Sequence, residues 1–269
     1  MFRKIRYVWH IFVKLFSFAF FGTCSLGLAL LLFPIMHVMA GFDEKKFKVF
    51  ARRFNHFYFK LFVRVMETIH CIRVKVDNKD TLKELHSKVV IANHPSILDV
   101  VILFSLVPNA DCIVKGDLVK NKFVSLIIRN LYIPNNIPFD EQLELAKKSM
   151  DEGNNLIIFP EGTRSKPGEP WEFKKGAARF ALYSKNDIVP VFFGGNEKIG
   201  IRKHDKMLQY HPTERFFYDL KVLPPISIKE YEGIPITKSA TILTKKMKEI
   251  LEAELLQKPN SPQNSANHP

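Results

Sequence analysis

At 269 residues, 46% apolar and 25% charged, the chain has a globular composition and the length for one substantial domain plus an appendage. Its net charge of +13 is uneven: thirteen Lys and Arg against three acids put +10 into the stretch ending at Lys75 and leave +3 for the remainder. Cations flanking a long apolar run suit anionic lipid and exclude a nucleic-acid arm, while three scattered cysteines (Cys24, Cys71, Cys112) exclude a disulfide framework and a zinc site and fit a reducing compartment.

The first element is the run from Leu15 to Met36, LFSFAFFGTCSLGLALLLFPIM, 22 residues without a charge. About 20 apolar residues cross a bilayer core of roughly 30 Å as a helix. The length of the run, Pro34 and the helix that follows distinguish it from a cleaved signal peptide. The second element, residues 42–69, repeats Phe47, Phe50, Phe54, Phe57, Leu61, Val65 and Ile69 at gaps of three and four, with Lys46, Arg52, Arg53, Lys60 and Arg64 on the other face. A phenylalanine stripe opposite a cationic stripe suits a helix lying in the membrane interface. The same pattern also fits an amphipathic helix packed on a domain core. Basic residues lie on both sides of the first helix, so a full span and a helix that dips in and returns to one face both fit the charge pattern.

From residue 71 the pattern changes. CIRVKV alternates and predicts a strand, TLKELHS a short helix or loop, KVVIAN a buried strand, and ILDVVILFSLV a packed helix. DCIVKG is a further strand, NKFVSLIIRNL a helix, and DEQLELAKKSMDEG an amphipathic helix with Gly153 at its left-handed cap. NLIIFPEGTRS is a buried strand entering a loop, and the helix KKGAARFALYSKN follows. DIVPVFFGG and DLKVLPPISI predict strands, and SATILTKKMKEILEAELL a closing helix. Strands alternating with helices predict an α/β domain over residues 71–257, a mixed and largely buried sheet flanked by helices, behind a membrane-anchoring two-helix segment over residues 1–70. The tail over residues 258–269, rich in Pro, Asn and Ser, is expected to be disordered.

Two stretches break the apolar pattern at strand ends, where open sheets place ligands. In VIANHPSILDV, a strand delivers Asn93 and His94, Pro95 forces a turn, and Asp99 falls one turn into the next helix. A histidine oriented by a carboxylate is a general base for a hydroxyl. The alternative is a capped helix start with an incidental histidine. The chain has no G-x-S-x-G, and no cysteine placed as a nucleophile, so such a base would act on the substrate's own hydroxyl. In FPEGTRSKPGEPWEFKKGA, Glu161, Gly162, Thr163, Arg164 and Ser165 form either an anion-binding loop or a charged turn; small residues admit backbone N–H groups to an anion, and the Arg fork matches phosphate.

NHxxxxD, then FPEGTRS about 65 residues later, then IVPV at Ile188 to Val191, resembles the glycerolipid (lysophospholipid) acyltransferase family, whose prototype is bacterial 1-acylglycerol-3-phosphate acyltransferase. The resemblance covers roughly residues 70 to 230. It implies that His94, assisted by Asp99, deprotonates the free hydroxyl of a lysolipid, which attacks acyl-CoA or acyl carrier protein without an acyl-enzyme intermediate. It places Glu161, Gly162, Thr163 and Arg164, with Lys115, at the acceptor's phosphate, and Pro190 on the acyl-donor side. It implies no metal and no cofactor, membrane lipids as surroundings, no nucleic acid, and a bacterial inner membrane with the catalytic domain on the cytoplasmic side. The oligomeric state is not implied.

One departure bears on the acceptor. The family's second motif pairs a Lys with an Arg some twenty residues on; VKGDLVKNKFVSLIIRNLYIPNN keeps Lys115 and Leu118, carries Lys122 and Ser125 where Pro and Gly are usual, and has Asn135 at the Arg position. Arg129 is the candidate to compensate. A different acceptor (another lysophospholipid, a lipoamino acid, a polyene or polyketide-type lipid) therefore stands beside 1-acylglycerol-3-phosphate, and a non-catalytic lipid-binding protein stands behind both.

Overall fold

The computed structural model describes residues 2–120, 125, 128, 131–206, 208–211 and 214–257. Seven strands form one sheet in the order β1-β7-β6-β2-β5-β3-β4. They are β1 (Ile72–Asp77), β2 (Val89–Ala92), β3 (Ala110–Val114), β4 (Ile133–Pro134), β5 (Asn155–Ile158), β6 (Ile188–Gly195) and β7 (Phe216–Val222). The central strand β2 runs parallel to β5 and β6, and β5 to β3. Among the described strands the β6–β7 pair alone is antiparallel, with Gly195 opposite Tyr218. The C-terminal ends of β2, β5, β3 and β6 therefore open on one edge, and the start of β7 meets them there.

Each strand of the sheet centre is apolar on both sides because both sides are covered. Val90 and Ala92 join one core, with α3 (Glu44–Thr68) and α5 (Leu98–Leu106); Val89 and Ile91 join the other, beneath α6 (Phe139–Asp151), α7 (Gly176–Ser184) and α8 (Ile236–Leu256). The mixed, buried, helix-flanked sheet is the one the sequence predicts. The short helix or loop expected at TLKELHS falls at a short α4 (Lys79–Lys83). Two details differ: β4 is a two-residue edge strand, and β7 begins at Phe216. Most of the helix expected over NKFVSLIIRNL, including Lys122 and Arg129, lies outside the described residues, as does the tail 258–269.

The N-terminal segment comprises α1 (Phe2–Gly27), a π-helical turn (Leu28–Leu32) and α2 (Phe33–Met39). Lys4–Met39 is long and apolar enough to cross a membrane by length and composition. Its packing is inverted relative to a water-exposed helix. His10, Lys14, Ser17 and Ser25 are buried, whereas Ile5, Val8, Trp9, Phe12 and Phe16 face outward. The Tyr7 hydroxyl donates to the Leu208 carbonyl, the His10 ring stacks on Tyr210 at 4.8 Å, and Lys14 Nζ donates to the Gln209 and Gly200 carbonyls. The helix lies along the domain from Tyr7 to the contact between Ser25 and Tyr58.

Helix α3 starts where the Asp43 carboxylate accepts the Lys46 N–H at 3.0 Å, an N-cap. The packed reading of its amphipathic pattern holds for one face. Tyr58, Phe59, Phe62 and Met66 are buried, with Phe59 stacked on Phe104 of α5 at 5.3 Å. Phe50, Phe57 and Leu61 remain exposed beside the exposed cations Lys46, Arg53, Lys60 and Arg64. Arg52 does not belong to that cationic stripe. It is buried, and its Nε and Nη2 grip Asp111 of β3 at 2.8 and 3.1 Å, where Ser149 of α6 also donates to the carboxylate.

Candidate active site

β2 ends in a clamp that frees the next residue. The buried Asn93 side chain donates to the Phe193 carbonyl at 2.9 Å and accepts the Phe193 N–H at 2.7 Å, so an amide side chain pairs with β6 as a peptide would. The backbone can then turn at His94 and Pro95. Ser96 N–H donates to Asp99 Oδ2 at 2.6 Å and Ser96 Oγ to Asp99 Oδ1 at 2.5 Å, closing the turn that begins α5. His94 Nδ1 lies 2.9 Å from Asp99 Oδ2. Asp99 is fully buried, and the imidazole stacks on Phe159 at 4.1 Å. With Nδ1 committed to the carboxylate as donor, Nε2 carries a lone pair, the arrangement of a general base.

The loop after β5 closes over the same turn. Ser165 N–H donates to the His94 carbonyl at 2.8 Å, and His94 N–H donates to Glu161 Oε1 at 3.0 Å. Ser165 Oγ donates to the same Glu161 oxygen at 2.8 Å. Burial pushes the Glu161 carboxyl above its usual range, against the pull of those two donors. Gly162 sits at φ +67°, and the Lys174 side chain comes to 3.1 Å from where a Cβ would stand, so a larger residue would be both strained and crowded. Thr163 is exposed on the loop. Arg164 Nη1 donates to the carbonyls of Ile201 and Arg202 at 3.1 and 3.0 Å, and among the described residues its Nε and Nη2 donors have no acceptor. A cavity of about 110 Å³ lies beneath the start of α5, between Phe18 and Phe21 of α1, Phe62 and Met66 of α3, and Ile97 and Leu98.

Residues 73–194 match the family model described as Acyltransferase. That match covers a little under half of the chain, and over it the chain is similar to acyltransferases. It is 30% identical over 139 residues to the human 1-acyl-sn-glycerol-3-phosphate acyltransferase beta, covering 49% of this chain and 50% of that one. It is 28% identical over 159 residues to a chloroplastic 1-acyl-sn-glycerol-3-phosphate acyltransferase of Arabidopsis thaliana, covering 57% and 44%. The chain thus spans about half the length of these relatives. The crystal structure of the 1-acyl-sn-glycerophosphate acyltransferase from Thermotoga maritima superposes with a TM-score of 0.69 at 21% identity, covering 96% of this chain and 100% of that one, which shows the shared fold.

Within this fold the expected site residues separate. His94, Asp99 and the Glu161–Arg164 loop come together at the C-terminal edge of the sheet. Glu161 takes a different task from the one the resemblance implies: a buried carboxylate, it holds the backbone of His94 and is not presented to an anion. Lys115, just past β3, is exposed and pairs with Asp117 at 3.0 Å. Asn135, at the Arg position, is exposed. Its Oδ1 accepts the Gly116 N–H at 3.0 Å. Pro190 is buried in β6 opposite Ile91, where its carbonyl accepts the Leu223 N–H, so it shapes the sheet and lines no open surface. Among the described residues no cluster of three or more His, Cys, Asp or Glu could hold a metal.

Sequence reasoning missed Asn93 as a clamp, Phe159 as the ring beneath His94, and Ser96 and Tyr218 behind Asp99. Ser96 carried a signal, since a serine three residues before an aspartate at a helix start is a local cap pattern. Tyr218 carried none.

Proposed function

We propose that the chain is a membrane-associated O-acyltransferase that moves a fatty acyl group from acyl-CoA or acyl carrier protein to the free hydroxyl of a lysolipid, with 1-acylglycerol-3-phosphate the favoured acceptor, in phospholipid synthesis. The observation that carries it is the His94–Asp99 pair at 2.9 Å, locked from behind and stacked on Phe159. His94 Nε2 takes the hydroxyl proton as the oxygen attacks the thioester carbonyl, and Asp99 stabilises the imidazolium. As the tetrahedral intermediate collapses, the C–S bond breaks and the imidazolium returns its proton to the leaving thiolate. No acyl-enzyme is needed: Ser96 and Ser165, the nearby hydroxyls, are tied to Asp99 and Glu161.

The free donors of Arg164 fit the acceptor's phosphate, with Gly162 and Thr163 giving the loop backbone close approach. The apolar cavity beneath α5 suits an acyl chain. The outward apolar face of α1 and the Phe–cation face of α3 support seating in one leaflet, α1 dipping in along the domain, so that both lipids stay in the membrane. Three free thiols suit the cytoplasmic side, as expected of a bacterial inner membrane. The reaction needs no metal or other cofactor.

A different acceptor is a second reading, favoured by Asn135. With its side chain capped on Gly116, that position supplies no guanidinium to a phosphate. One experiment tests both. Membranes carrying the protein are incubated with labelled acyl-CoA or acyl carrier protein and a panel of lysolipids, and products are identified by mass spectrometry beside His94→Ala. The proposal expects a His94-dependent diacyl product; turnover retained in His94→Ala would overturn it.

A further inference from the structure

We propose that Tyr218 and Ser96 are positioning residues for acyl transfer, a buried hydroxyl relay that holds Asp99, and through it His94, in the base-competent arrangement; this rests on the acyl-transfer reading above. Tyr218 Oη lies 2.7 Å from Ser96 Oγ, which lies 2.5 Å from Asp99 Oδ1. All three residues are fully buried, so water does not substitute for any link.

The direction of every bond follows from counting protons. A carboxylate only accepts, so the single Ser96 hydroxyl proton goes to Asp99 Oδ1. The Tyr218 proton must then go to Ser96 Oγ, which also accepts the Leu98 N–H at 3.2 Å and is thereby filled. Asp99 Oδ2 takes the Ser96 N–H, and His94 Nδ1–H completes the set. All donors point toward Asp99 from both ends. The relay thus fixes which imidazole nitrogen is protonated and leaves Nε2 free for the substrate hydroxyl. Hydrogen bonds in such a chain strengthen one another, so the phenol acts on the carboxylate without touching it.

Tyr218 is itself held from three directions. Phe193 meets its ring edge-on at 6.3 Å, and the Lys198 ammonium sits 4.4 Å from the ring centroid. Tyr218 also pairs across the antiparallel β6–β7 junction with Gly195, whose φ of +102° leaves 1.9 Å between a would-be Cβ and the Phe217 carbonyl. Burial pushes the phenol well above its ordinary range, so the donor stays protonated wherever the enzyme works. The other titratable groups near the phenol are Cys71, just before β1, and Tyr210, while Glu161 on the loop after β5 faces His94 and Asp99.

The test uses the full chain in phospholipid vesicles with acyl-CoA and 1-acylglycerol-3-phosphate. Tyr218→Phe removes one oxygen, and Ser96→Ala removes the middle link. We expect kcat to fall several-fold in Tyr218→Phe and by about 10–100-fold in Ser96→Ala, on the order of what a mispositioned general base forfeits. KM for both substrates should stay unchanged. The ascending limb of the kcat/KM pH profile should move to higher pH, because a less delocalised Asp99 holds the imidazolium more tightly. The double variant should be no worse than Ser96→Ala alone. In a spectrum of ¹⁵N-histidine-labelled protein, His94 should be the Nδ1–H tautomer in the parent and a mixture in Ser96→Ala. Unchanged kcat, pH limb and tautomer in both variants would overturn the relay. Should Ser96→Ala lose its cooperative thermal transition, Tyr218→Phe decides alone. Activity retained in His94→Ala would instead sink the acyl-transfer reading, and the tautomer spectrum still judges the relay.

Discussion

The Glu161 carboxylate and the His94 backbone N–H, 67 residues apart, meet at 3.0 Å, so the two motifs at the sheet edge are fastened through main chain before any substrate arrives. Burial raises the Glu161 carboxyl, so its ionisation opposes folding. A carboxyl raised in the folded state contributes stability below its unfolded value, lost as pH rises through the raised folded one. Glu161→Gln keeps an oxygen for His94 N–H and Ser165 Oγ and removes the charge. Its thermal midpoint should equal or exceed the parent's at neutral pH, with the gap closing in acid; a lower midpoint at neutral pH with a constant gap would contradict this.

Asp99→Asn should preserve the fold and lose activity. The amide can no longer receive the imidazole N–H, the Ser96 N–H and the Ser96 hydroxyl together, and it favours the wrong tautomer of His94. A fall in kcat of roughly 10²–10⁴ is expected, the range a positioned base supplies, with vesicle binding unchanged. Single-turnover acyl transfer at saturating substrates measures it.

Arg52 and Asp111 form a pair whose side chains are 7% and 4% exposed. Removing one partner strands a buried charge, so Arg52→Met alone should cost about 3–5 kcal/mol. Arg52→Met with Asp111→Leu should recover most of that. Urea denaturation of the parent, the two single variants and the double variant in one detergent reads the difference; single-variant costs that simply add in the double variant would rule out the coupling.

Trp9 and Phe12 lie on the outward face of α1. Replacing both with Glu should release the protein from anionic vesicles in a flotation assay while leaving far-UV circular dichroism unchanged. If the double variant floats with the vesicles as the parent does, that face is not the lipid contact.

How much of this could be read from the chain depended on the range of the interaction. β2 and the HPSILD turn are local, so the apolar run, the proline and the five-residue spacing gave both the strand end and the His–Asp pair. Arg52 is a counterexample: its neighbours Arg53 and Lys60 are solvated, and nothing at position 52 announces an aspartate 59 residues later. Glu161 fell within a motif associated with phosphate, and only the fold shows that its oxygen serves a backbone donor. Tyr218 sits in an alternating strand as any core tyrosine would, and its link to Ser96 spans 122 positions. Side-chain contacts across a sheet leave no periodicity.

The carbonyls of Gly200 and Gln209 are gripped by Lys14 of the first helix, and those of Ile201 and Arg202 by Arg164. The N-terminal helix is therefore a wall of the α/β domain and not a leash. Trimming it would strip a cation from the carbonyls of Gly200 and Gln209 and loosen the backbone on which Arg164 is seated.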